Sequence, residues 1–179
     1  MFSRRTVRRG LTASAMIGLV AFGAPSLAQP AQQSANGHGT LSGVDENGRS
    51  VKRQFSFSAR RQADGSVKGH ATLINPSFSG SGNPNPPYQL QLDISCMHVV
   101  GNIAIMGGMT KRTNDQNLVD AAYFSVQDNG EPGKGNDRIS RVFFFDDDPT
   151  TTGDPQACLL TGPGDFPLEP IEGGNIQVK

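Results

Sequence analysis

Tryptophan is absent from this chain of 179 residues, tyrosine and cysteine occur twice each and histidine three times, so several kinds of chemistry lack their usual residues. Sugar-binding surfaces favour aromatic platforms; here only Tyr88 and Tyr123 join ten phenylalanines, many at positions that strand packing explains. Two thiolates without nearby histidine partners do not complete a tetrahedral zinc site. No Gly-x-Ser-x-Gly elbow and no His-Glu-x-x-His pair is present. Gly80 and Gly82 sit in a proline-rich stretch and Gly107 and Gly108 in a predicted strand, so neither pair opens a helix whose N-terminus would hold a phosphate. Helical periodicity is missing from every ten-residue window.

Long apolar runs are missing too. Leu11 to Phe22 holds about a dozen residues, diluted by Thr12, Ser14 and Gly18, too few to cross a hydrocarbon core of ~30 Å. Arg4, Arg5, Arg8 and Arg9 precede it, and Ser26-Leu27-Ala28 follows with the small-x-small shape of a cleavage site. Residues 1–28 therefore read as a signal peptide, and residues 29–179 as a single secreted β-domain, periplasmic or extracellular, with no transmembrane anchor. Ser3-Arg4-Arg5-Thr6-Val7 and Val7-Arg8-Arg9-Gly10-Leu11 each match part of a twin-arginine signal, which leaves both export routes open.

The leader carries four of the 16 basic residues and none of the 16 acidic ones, so its removal leaves 12 against 16, a net charge of −4. An acidic domain lacks the basic stripe that a nucleic-acid partner requires. Cys96 and Cys158 both lie in the exported part, where an oxidising compartment favours a disulfide. Closing a loop of about 60 residues contributes ~4 kcal/mol in the chain-entropy model.

What is present is a succession of alternating segments broken by glycine and proline, which predicts an all-β domain: a single antiparallel β-sandwich or small β-barrel of about seven or eight strands. Around Asp64-Gly65, a three-residue loop with Gly65 left-handed aligns Phe55, Phe57 and Ala59 with Leu73, Ala71 and Gly69, and turns Lys68 and His70 to the opposite face. A second hairpin turns at Gly101-Asn102 and places Ile94 opposite Met109 and Cys96 opposite Gly107. The glycine leaves room for a second sulfur, and the same parity points His98 inward near Ile105. Ala122, Phe124 and Val126 share one face of a further strand. Arg138 to Phe145, apolar on both faces from Val142, reads as a central strand. Short strands near Gly39–Val44 and Asn175–Val178 begin and finish a meander. Pro76–Pro87 and Asp147–Pro170 read as long loops.

The most distinctive segment is Asp128-Asn129-Gly130-Glu131-Pro132-Gly133-Lys134-Gly135-Asn136-Asp137-Arg138. With Ala122-Tyr123-Phe124 before it and Ile139-Ser140 after it, it resembles a motif of small secreted bacterial β-domains of uncharacterised function, in which Asp-Asn-Gly-Glu-Pro-Gly and then Asp-x-Ile-Ser link two strands. Gly37-His38-Gly39-Thr40, the Cys96 region and Gly174-Asn175-Ile176 extend the resemblance over most of the exported chain. It implies membership of that group and carries no catalytic residue with it.

Asp128, Asn129, Glu131, Asn136 and Asp137 supply oxygen donors suited to a hard cation such as Ca²⁺, although the spacing is not that of an EF-hand. Equally, Asp and Asn stabilise tight turns through their own backbone, with Arg138 offsetting the acids. Asp146-Asp147-Asp148 with Asp154 carries the same ambiguity. No catalytic residue and no cofactor beyond that possible calcium is implied; the partner is open, whether protein or cell surface. The leading expectation is an exported non-catalytic β-domain that binds or associates structurally at the cell exterior. One alternative is a barrel carrying an apolar ligand among Phe55, Phe57, Leu92, Ile94 and Phe124, which a packed core would end. The other is a hydrolase or metal-dependent enzyme using His38, His70 or His98 with an acid. That enzyme fails if every histidine is more than ~10 Å from the others and from any acid.

Overall fold

A computed structural model describes residues 32–44, 48–74, 89–114, 119–144 and 151–179. The leader, the Pro76–Pro87 loop and Asp146 to Asp148 lie outside the described residues. Within them, alternation makes strands at the predicted places, β1 (Ser34–Val44), β2 (Ser50–Arg61), β3 (Val67–Ile74), β4 (Gln89–Val100), β5 (Ile103–Thr113) and β6 (Ala121–Gln127), then β7 (Arg138–Ser140), shorter than expected, β8 (Leu168–Pro170), where a loop is expected, and β9 (Gly173–Val178). They form one antiparallel sheet in the order β8-β7-β6-β5-β4-β3-β2-β1-β9, curled into a half-barrel. It is a single sheet rather than a two-sheet sandwich, with nine strands where seven or eight are expected. The meander runs unbroken from β1 to β8, and β9 returns beside β1. The two edge strands are thus consecutive in the chain.

Curling gives the sheet a concave face, which one apolar cluster fills. Ala35 and Leu41 of β1, Phe55, Phe57 and Ala59 of β2, Leu90, Leu92 and Ile94 of β4 and Phe124 of β6 all point into it, together with Ile139 and Ile176 from the far strands. Phe57 meets Phe124 edge-on at a centroid distance of 5.7 Å across the hollow. Each such side chain removed from water contributes about 1.5 to 3 kcal/mol, which is why the period-2 pattern dictates the curl. The β2–β3 hairpin has the expected register, with Phe55 opposite Leu73, Phe57 opposite Ala71 and Ala59 opposite Gly69, and Gly65 lies at φ +84°.

The β4–β5 hairpin corrects two expectations. Its turn is at Gly101-Asn102 and Cys96 faces Gly107, but Ile94 pairs with Gly108 and Asp93 with Met109, because the register shifts between Ile94 and Cys96. Such a bulge inserts one residue and flips everything beyond it. Met97 therefore enters the concave core, while Cys96 and His98 turn to the convex side.

That side holds a second cluster of Cys96, Ile105, Ala121, Tyr123, Cys158 and Phe166. The region expected to be an irregular loop supplies its cover: two 3-10 turns, at Pro155–Leu160 and Pro163–Asp165, lead into β8. This cover also explains the strand misread as central. β7 is short and next to the edge; Val142 packs into the concave core, whereas Phe143 packs edge-on against Phe166 at 5.3 Å on the convex face. Apolar residues on both faces reflect a covering segment, not a central position.

Candidate functional site

The segment Asp128 to Asp137 brings its predicted oxygens together, and each carboxylate of the two aspartates accepts backbone N–H groups. Asp128 accepts from its own turn at Gly130 N, 2.9 Å, and from Val178 N of β9, 3.0 Å. Asp137, fully buried, accepts from Asn129 N at 2.9 Å and from Ile176 N at 2.7 Å. Ile176 and Val178 sit between the residues of β9 that bond to β1, so their amides point off the free edge of the sheet. Two carboxylates thereby take the place of a neighbouring strand, and an amide edge left bare costs free energy when dry.

The rest of the loop shapes this seam. Asn129 Nδ2 donates to Asn136 O, Asn136 Nδ2 to Pro132 O, and Asn175 Nδ2 of β9 to Glu131 Oε1 at 2.8 Å. Gly133 is obligatory, since a Cβ there would overlap Asp137 Oδ2 and Asn175 Oδ1. Asn102, at the tip of the β4–β5 hairpin, reaches Asp128 O and Asn129 Oδ1. The Asp128 and Asp137 carboxylates, Asn129 Oδ1 and Glu131 Oε1 are thus engaged with amide donors. No group of three or more His, Cys, Asp or Glu side chains gathers as a metal-binding set among the described residues. Asp154, paired in the sequence reading with Asp146 to Asp148, caps the first 3-10 turn through Gln156 N.

Cys96 and Cys158 lie at disulfide distance, with Cα atoms 6.2 Å apart and a sequence separation of 62. A side chain at Gly107 would meet the Pro155 carbonyl oxygen and come within 3.2 Å of Cys158 Cβ, so the glycine is what admits the covering segment. Tyr123 Oη donates to Asp154 O at 2.6 Å, and Gln156 Nε2 donates to Ser95 O at the bulge.

The three histidines do not converge. His38 is exposed on β1, and His98 is half-buried, its Nδ1 3.1 Å from Thr161 O of the covering segment. His70 is exposed and faces Asp93 across the β3–β4 ladder, with Ser58 on its other side. Cross-strand neighbours lie well within 10 Å, so distance does not dispose of a histidine–acid pair here. Yet Ser58 Oγ donates to Asn36 Oδ1, Asp93 pairs with Lys111 at 3.2 Å, and all of them lie on the open outer face rather than in a cleft.

Sequence reasoning missed one buried ion. Arg53 shares the inward parity of Phe55 and Phe57, and its guanidinium crosses the hollow to donate to Glu169 of β8 and, at 2.8 Å, to Ser140 O of β7. Burial pulls its pKa down from the usual guanidinium value, and Glu169 works in the opposite direction. Strand parity alone was the signal that would have placed it. Beside it, the gap among Phe55, Leu73, Phe124 and Val142 holds about 10 Å³, the lower limit for one water molecule.

Comparison with known proteins gives no match, by family model, among curated proteins or among solved structures.

Proposed function

We propose that this chain is an exported, non-catalytic β-domain that acts outside the cytoplasm by binding or by structural association, and that it belongs with the secreted bacterial β-domains it resembles. The observation that carries this reading is the seam: the most distinctive motif of the sequence is engaged in holding β9, not in presenting reactive groups. Three of the segments that bear the resemblance meet there, since Gly37 to Thr40 pair with Gly173 to Ile176 and Gly133 packs on Asn175. The cysteine pair supports an oxidising compartment. The packed concave core favours this reading over a carrier.

Expression of the full chain in a bacterium with a periplasm tests the proposal. The expected result is a periplasmic protein beginning at Gln29 whose cysteines resist alkylation without reductant. An uncleaved cytoplasmic product with two reactive thiols would overturn export. Thermal unfolding with Ca²⁺ and after chelation tests the remaining cation reading, and an unchanged midpoint is expected. A midpoint that rises with Ca²⁺ would return Asp128, Asn129, Glu131, Asn136 and Asp137 to the candidate ligands.

A further inference from the structure

Among the described residues, the covering segment lies over β4, β5 and β6, and none lies over the outer side of β1 to β3. There lies a depression of about 450 Å³. Its polar lining comes from three adjacent strands: His38 and Thr40 of β1, Gln54 and Ser56 of β2 and Thr72 of β3. Ladder pairing holds these groups side by side, with His38 opposite Ser56, Thr40 opposite Gln54, and Ser56 opposite Thr72. Gly173 and Gly174 keep the β9 side low, and Ile74 supplies an apolar part of the floor, while the Phe55 ring lies on the opposite, concave side of the sheet.

Some neighbouring polar side chains are engaged: Ser58 bonds Asn36 one row away, Asp93 bonds Lys111, and the seam aspartates each take two amides. The five side chains of the depression form no hydrogen bond with the described residues. They are hydroxyls, an amide and an imidazole, each able both to donate and to accept. No lysine, arginine, aspartate or glutamate lines the depression. A charged ligand would find no counter-ion there, and a wholly apolar one would leave these groups desolvated without partners. Vicinal hydroxyls of a neutral sugar donate and accept in the same way, and their C–H faces suit Ile74.

We propose that this depression binds a neutral polyhydroxylated ligand, a segment of uncharged glycan, through hydrogen bonds rather than aromatic stacking. The inference rests on the binding-domain reading above and names its ligand class. Without a stacking platform the affinity falls in the millimolar range, which suits a module held beside a polymer with many equivalent sites.

The test is titration of the isotopically labelled protein with maltohexaose, cellohexaose and chitohexaose to about 10 mM, read by amide chemical shifts. Shifts centred on Gly39, Ser56, Thr72 and Gly173 with at least one of them are expected. A Gln54→Leu/Thr72→Val variant should weaken that binding about tenfold or more at an unchanged thermal midpoint, whereas Lys111→Ala, outside the depression, should leave it alone. Should the double variant unfold, Ser56→Lys, which places a long charged chain in the depression, provides the same readout. No shift with any of the three sugars, or shifts unaffected by these variants, would overturn the inference. Shifts centred on another face would overturn it while leaving the binding-domain reading intact; shortened oligosaccharides in the titrated sample would overturn the non-catalytic reading itself.

Discussion

At Asp64 one carboxylate oxygen organises the β2–β3 turn, accepting from the Ser66 hydroxyl at 2.6 Å and from the Ser66 amide at 2.9 Å. The hydroxyl bond and then the amide bond hold its pKa below the ordinary aspartate value. A carboxyl whose folded pKa is depressed contributes stability above its unfolded pKa and loses it as pH falls through the folded one. NMR titration of Asp64 should therefore give a midpoint below that of a model peptide. Ser66→Ala should raise it part of the way, since the amide remains. Asp137 is a stricter case, because both partners of its carboxylate are backbone donors and the residue is fully buried. Asp137→Ala leaves those two amides without acceptors, at about 1 to 3 kcal/mol each. The urea midpoint should fall accordingly with little change in slope, and Asp137→Asn, which keeps one acceptor oxygen, should cost less.

Among the elements, the β2–β3 hairpin was legible to the residue, because alternation and the glycine at the turn both demand one register. The β4–β5 hairpin was legible only as far as its bulge. Ser95 carries no local sign that the ladder slips there, yet the slip decides that Cys96 faces the covering segment and Met97 the core. Segment 151–166 looked structureless because its order comes from what it covers: it fits over Ile105 and Tyr123 and is held by Cys158. Replacing Cys96 and Cys158 with serine should cost about 4 kcal/mol in the chain-entropy model. Limited proteolysis should then cut within 151–166 before it cuts β1 to β5, because the concave core contains none of the residues beneath that segment. Cleavage at the β-hairpins first would refute that division.

The whole molecule depends on contacts that bring chain-distant parts together. Arg53 and Glu169 are 116 residues apart, and their pairing draws β8 towards β2 across the hollow. Removing only the acid strands a buried cation, whereas removing both leaves no buried charge, so the loss should not be additive. Glu169→Gln is expected to cost about 2 to 4 kcal/mol and Arg53→Met/Glu169→Gln appreciably less, measured as a double-mutant cycle by urea unfolding. If the double variant is as unstable as the sum of the singles, Arg53 does not depend on Glu169.

By itself the sequence determined β1 to β6, the register of the β2–β3 hairpin and a place for the second sulfur, since alternation, turn residues and small residues act between neighbours in the chain. It also supplied the cysteines and the aspartates. What they hold was decided only by tertiary structure. Asp128 and Asp137 grip β9, and Arg53 lies beneath β8, because the curl brings the β6–β7 connection to β9 and β8 over β2. A backbone amide on a free edge looks the same in every sequence. Its partner depends on which distant residue the curl brings within 3 Å, and no local pattern records that distance.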